Sequence, residues 1–158
     1  MKVKKRYFLK KKKIKEIKKE LGDYENLINN KDKVELLETE PNNIILVNDK
    51  PYIIIIDNKP YPTLKAALNE ELNGKTVTVD MGAVKFMTKG ADVMSPGITK
   101  TDPNIKPGDV VLIVDETHNK PLAIGISQIT GEEMVKNTNG KAIKTLHHIG
   151  DPIWEFEI

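Results

Sequence analysis

Between Val79 and Ile98 the chain reads VDMGAVKFMTKGADVMSPGI, and neither a helical nor a strand period runs through all of it. Gly82-Ala83 and Gly90-Ala91 bracket lysines at 85 and 89, and Pro96-Gly97 ends the stretch. The pattern predicts a strand, a tight turn, a short helix capped by Asp80 and stopped at Gly90, and a second strand. A segment interrupted this often is not ordinary core filling. It makes a compact corner in which glycine lets the backbone come close to a ligand, and it is the first place to look for function.

The flanking sequence divides at Asn73-Gly74. Before it, Lys4 to Leu9 is extended, and Ile14, Ile17 and Leu21 recur at helical spacing up to a stop at Gly22. A short helix around Leu27-Ile28 and strands Val34 to Leu37, Ile44 to Val47 and Tyr52 to Ile56 follow, with a hairpin at Asn48-Asp49-Lys50-Pro51. Pro60 and Pro62 are expected to end that sheet, and Thr63 to cap a helix carrying Leu64, Ala67, Leu68 and Leu72. After the boundary come short strands: Thr76 to Val79, Val110 to Val114, Leu122 to Ile129, Lys141 to His148 and Ile153 to Ile158. A short helix spans Glu132 to Lys136. Turn signals every ten or so residues suggest a small β-barrel. The expected organisation is an α+β domain over residues 1–73 with a basic N-terminal helix, then a mainly β pseudo-barrel over 74–158.

Charge is unevenly placed. Residues 1–20 hold eleven Lys or Arg and two Glu, a local net of +9, whereas all 158 residues net +2, leaving −7 on the other 138. A basic arm on an acidic body suggests a polyanionic partner, with Lys11, Lys12 and Lys15 as a second basic contact; a solvated helix face is the alternative. Cysteine is absent, which removes disulfides, thiolate metal sites and Cys nucleophiles. Apolar runs such as Ile53 to Ile56 are too short to cross a bilayer, and no apolar signal region follows the basic start, so a cytoplasmic location without membrane association is expected.

Signs of catalysis are weak. Gly74-Lys75-Thr76 resembles the end of a phosphate-binding loop, but Asn69 stands where its first glycine belongs, and a helix rather than a strand precedes it. His147 and His148 are adjacent on a strand, so they point to opposite faces and cannot readily share a metal. Glu70-Glu71, Asp115-Glu116 and Glu132-Glu133 are neighbours rather than convergent pairs, and no Gly-x-Ser-x-Gly elbow exists. The expectation is a non-enzyme with no cofactor and no metal.

The Val79 to Ile98 stretch resembles the opening of a PUA domain, the RNA-binding module of pseudouridine synthases and archaeosine transglycosylases. Pro107-Gly108-Asp109, Pro121-Leu122-Ala123-Ile124-Gly125 and the run from Leu146 through His147, His148 and Asp151 to Trp154 follow in matching order, over roughly residues 75 to 156. The basic helix and the Pro60-Tyr61-Pro62-Thr63-Leu64 junction are similar to the pre-PUA domain of the MCT-1/Tma20 family, in an archaeal-like form. The resemblance implies a pre-PUA domain followed by a PUA pseudo-barrel, and a role at the small ribosomal subunit near the tRNA acceptor end, in initiation or recycling. Its implied partners are rRNA or tRNA and a separate SUI1-domain protein. It places the RNA face at Lys85, Lys89, Gly90, Ala91, Met94, Ser95, Pro96 and Gly97, with Lys100, Lys141 and Lys144 joining. Such a face grips helical RNA by its backbone and minor groove, reading shape more than sequence. The alternative function is a tRNA- or rRNA-binding adaptor for a separate modification enzyme.

Overall fold

Runs of isoleucine, leucine and valine alternate with short polar breaks in the N-terminal half, and the breaks determine its topology. In the computed structural model, which describes residues 2–158, strand β1 (Lys2–Phe8) leads to helix α1 (Lys11–Leu21) and a 3-10 segment (Gly22–Leu27). Strands β2 (Val34–Glu40), β3 (Ile44–Val47), β4 (Lys50–Ile56) and β5 (Lys59–Pro62) precede helix α2 (Leu64–Asn69). The five strands form one antiparallel sheet in sequence order. Asn48-Asp49 and Asp57-Asn58 form its two tightest turns, all four residues having φ between 50° and 68°. Two-residue loops in that conformation are type I′ turns, whose twist matches the strands they join, and Asn and Asp tolerate it best among residues with a side chain.

The second of these turns corrects the sequence expectation at Pro60 and Pro62. The chain does not leave the sheet there but adds β5 at its edge, where a residue without an N–H leaves no ladder bond unmade. Thr63 does cap α2, its hydroxyl accepting from the Ala66 N–H at 3.2 Å. The helix stops at Asn69, however, and buries Leu64 and Ala66 while Leu68 stays exposed. Ile17 and Leu21 of α1, Tyr24 and Leu27 of the 3-10 segment, Leu64 of α2 and Ile45, Ile53 and Ile54 of the sheet are all buried.

The C-terminal half begins with β6 (Lys75–Val79), α3 (Met81–Met87), β7 (Val93–Met94) and β8 (Ile98–Thr101). Then come β9 (Val110–Asp115), β10 (Pro121–Ser127), α4 (Gly131–Lys136), β11 (Lys141–His148) and α5 (Pro152–Glu155). The sheet runs β7-β11-β10-β9-β6-β8, antiparallel except for the β6–β9 pair. β7 and β8 lie at its two ends, yet only Ser95–Gly97 separates them in sequence. The sheet therefore curls into a half-barrel, with Val77, Val79, Val111, Ile113, Ala123 and Ile143 inside.

Backbone contacts group 74–154 as one unit, and return Glu155–Ile158 to the unit formed by the N-terminal residues, whereas the sequence reading carried the second domain to 158. The expected strand from Ile153 is instead the short helix α5. Pro152 opens it, and the Asp151 carboxylate accepts from the Trp154 N–H at 2.7 Å, a start that favours helix over strand.

Gly131 marks the tightest backbone approach in the half-barrel. A Cβ there would lie 2.2 Å from the Asp102 carbonyl oxygen, which belongs to backbone and cannot swing aside. Gly131→Ala should destabilise the protein by about 2 kcal/mol or more. Val135→Ala, at an exposed position of the same helix, should stay within about 0.5 kcal/mol in urea unfolding.

Candidate nucleic-acid interface

Helix α3 has seven residues, too few to hold in water unaided. Its start is fixed by Asp80, whose carboxylate accepts from the Ala83 N–H at 2.9 Å, a cap of about 1 kcal/mol. Its inner face is fixed by the buried Met87, about 2 kcal/mol on transfer grounds. Cap and burial together exceed what either provides alone. The Asp80 N–H donates to the Gly97 carbonyl at 2.9 Å, which ties the helix start to the turn between β7 and β8.

Beyond Met87 the chain tightens. The N–H groups of Lys89 and Ala91 both donate to the Phe86 carbonyl at 3.1 Å, and that of Gly90 to Met87 at 3.0 Å. Lys85 and Lys89, four apart in sequence, therefore do not share one face of a helix: Lys85 is on α3 and Lys89 in the turn after it. Gly90 has φ 81°, and a Cβ on it would lie 2.8 Å from His148 Nε2. Conformation and contact each exclude a side chain there.

A groove of about 530 Å³ opens between α3 and residues 91–97. Ala83, Met87 and Val93 line it from the core side, and Phe86 and Met94 from its exposed edge. These two are 53% and 49% exposed, large apolar side chains left outside the core. Of the residues expected at the RNA face, Ala91, Met94, Pro96 and Gly97 line the groove, and no lysine does. Ser95, also expected there, is buried, and among the described residues its hydroxyl has no hydrogen-bond partner.

The lysines differ in their commitments. Lys141 forms an ion pair with Asp92 at 2.9 Å, and the Asp92 carboxylate also accepts from the Thr145 N–H at 2.9 Å. Burial alone would push the Asp92 carboxyl up, but Lys141, the Thr145 amide and the nearby charge of Lys144 hold it below the usual range. The Thr145 hydroxyl donates to the Ala91 carbonyl at 2.9 Å, so β11 fixes the 91–92 segment from behind. Lys85, Lys89 and Lys100 are exposed and, among the described residues, form no ion pair. Lys85 Nζ lies 5.2 Å from the centre of the Phe86 ring, within cation–π range.

The two histidines part as adjacent strand residues must. His147 is buried with Nδ1 2.7 Å from Asp151 Oδ2. His148 is half-buried, with Nδ1 2.8 Å from the Ile149 carbonyl. A carbonyl only accepts, so Nδ1 is the donor there, and Nε2 lies beside Gly90. Sequence spacing gave no sign that His148 reaches Gly90, because 58 residues separate them. Burial would raise the Asp151 carboxyl, but His147 and the Trp154 and His148 amides outweigh it and hold it below its usual range. Among the described residues no three His, Asp or Glu side chains converge to hold a metal, and no helix is long and apolar enough to cross a membrane.

Comparison with known proteins identifies both halves. The PUA domain family matches residues 75–149, and the family described as a domain of unknown function, DUF1947, matches residues 5–70. An uncharacterized protein of Methanocaldococcus jannaschii is 47% identical over 99% of both chains. Translation machinery-associated protein 20 of Saccharomyces cerevisiae is 31% identical over 85% of this chain and 78% of its own. Among solved structures, a hypothetical protein of Pyrococcus horikoshii superposes with a TM-score of 0.85 at 40% identity, over 96% of this chain and 98% of its own.

Two predictions concern the scaffold of the groove. Gly90→Ala should cost about 2 kcal/mol, and adding His148→Ala should recover the steric share, so that the double variant loses less than the sum of the singles. Strict additivity in denaturant titrations would separate the two residues. Asp151 has a folded pKa below its unfolded one, so its stabilisation is complete above the carboxylate range and fades as pH falls through the folded value. The stability gap between wild type and Asp151→Asn should therefore narrow as pH drops below about 4.

Proposed function

Because this chain belongs to the MCT-1/Tma20 family of PUA-domain proteins, we propose that it is a non-enzymatic RNA-binding protein of translation. It works at the small ribosomal subunit near the tRNA acceptor end, in initiation or recycling. The observation that carries this reading is the groove beside α3: apolar inside, edged by exposed Phe86 and Met94, and flanked in sequence by the unpaired Lys85, Lys89 and Lys100. An apolar cleft of this kind suits the face of an unstacked base or ribose, while the lysines suit phosphate. Lys141, paired with Asp92, shapes the wall rather than gripping RNA, whereas Lys144, exposed and without an ion pair among the described residues, adds to the cationic surface.

Both groove carboxylates have structural work, Asp80 as helix cap and Asp92 as partner of Lys141 and Thr145. That supports a binding surface rather than an acid–base site. The name of the yeast relative ties that protein to the translation machinery, which supports the same setting here. A separate chain carrying a SUI1-type domain is the protein partner in this reading.

The protein should sediment with purified small subunits at low salt. Lys85→Glu with Lys89→Glu should weaken binding about tenfold or more and lower the slope of log K against log salt by about 1.5. Unchanged affinity would remove these lysines from the site. Binding to free tRNA but not to subunits would move the role to an adaptor for a separate modification enzyme.

A further inference from the structure

Helix α1 is built against its own electrostatics. Lys10 occupies the N-cap without a side-chain hydrogen bond, and the first turn is Lys11-Lys12-Lys13 with no acid in it. A helix N-terminus already carries partial positive charge, so these lysines are unfavourably placed, whereas Lys18 and Lys19 in the last turn suit the dipole. Nor is acid scarce nearby. Arg6 engages Glu35 at 2.8 Å and Asp49 at 2.7 Å, Lys33 engages Asp49 at 2.9 Å, and Lys13 pairs with Glu16 at 3.8 Å. Yet Lys11, Lys15, Lys18 and Lys19 form no ion pair among the described residues.

Those four lysines line one side of a groove of about 710 Å³ on the N-terminal unit, opposite Glu25, Ile28, Asn29, Asn30, Asp32 and Val34. Lys12 is not among them. Asp32 is occupied, accepting from the Asn29 N–H at 2.7 Å and from Asn48 Nδ2 at 2.9 Å. Ile28 and Val34 are only 1% and 3% exposed, which leaves the half-buried Ile14 as the one apolar side chain that the groove presents, beside four lysines. Charge at a protein interface contributes steering more than affinity. A polyphosphate gains affinity from charge alone, by releasing its counterions. Lys11, Lys15 and Lys18 also fall in one i, i+4, i+7 row over about 10.5 Å of helix axis. A strand of duplex DNA presents a phosphate about every 3.4 Å of its axis, and A-form RNA sets them closer, so the row spans at least about three.

We infer that this groove is a second RNA site, which holds the phosphodiester backbone through Lys11, Lys15 and Lys18, with Lys19 alongside. The inference rests on the reading of the chain as an RNA-binding protein, and replaces Lys12 by Lys18 and Lys19 in the contact that the sequence suggested.

The test uses the full chain and a fluorescently labelled RNA hairpin with a single-stranded 3′ tail, titrated over a range of salt. Lys11→Gln, Lys15→Gln and Lys18→Gln combined should lower the salt slope by about 2 and weaken low-salt binding at least tenfold. The same variant should melt close to wild type, because losing the misplaced charge at Lys11 offsets losing the well-placed one at Lys18; a simple loss of structure would not combine these results. Lys12→Glu should change binding far less. An unchanged slope in the triple variant, with Lys85→Glu plus Lys89→Glu still weakening binding, overturns the second site and leaves the function standing. Failure of the wild-type chain to bind either this RNA or small subunits overturns both.

Discussion

Three residues, Ser95–Gly97, connect the two outermost strands of the C-terminal sheet, and most of the candidate site follows from that short link. Strands that end opposite edges of a ladder cannot be joined so tightly while the sheet is flat. The sheet curls, and a seam forms where β7 passes to β8. Helix α3 is placed at the seam because the Asp80 N–H donates to Gly97 while its carboxylate starts the helix. The groove is the space left between them. Its apolar interior is thus core surface at the seam, and Phe86 and Met94 stay exposed because the barrel ends there.

Much of this was legible in the residues. The Asp80 cap, the stop near Gly90, the strand at Lys141–His148 and the Asn48-Asp49 hairpin depend on local chemistry, and local chemistry is what a sequence displays. The errors came where a short-range signal met a long-range constraint. Pro60 reads as a strand breaker until the second I′ turn at Asp57-Asn58 places it on a sheet edge. Ile153 to Ile158 reads as a strand until Asp151 caps a helix. Phe86 reads as core because it is large and apolar, and only the position of the seam leaves it outside. The contact between Gly90 and His148, like the Asp92–Lys141 pair, joins segments far apart in the chain, and no pattern near either residue announces it.

Gly90 shows how fold and proposed site share one requirement. The turn after α3 needs a positive φ, and β11 brings a histidine ring to the place where a side chain would stand. The histidine in turn is oriented by the Ile149 carbonyl, which leaves Nε2 on the side of the turn. A residue present for backbone reasons thereby leaves room for a ring from the sheet.

The same economy accounts for the unpaired lysines. An exposed ion pair is worth about 0–1 kcal/mol, so leaving Lys85, Lys89 or the Lys11–Lys19 face without acids sacrifices little stability. Against a polyanion the return grows with every cation that reaches a phosphate, since each releases counterions. The net −7 of residues 21–158 shows that acid is plentiful in this chain; it is placed elsewhere. In the N-terminal unit it is gathered around Arg6 and Lys33 on the sheet, where Glu35 is buried and its pKa is lowered mainly by the Arg6 guanidinium. A chain under selection for stability alone would move some of that acid to the first turn of α1, where it would serve both the dipole and the lysines. Its absence from that turn is the physical reason to regard the basic face as a surface kept open for a partner.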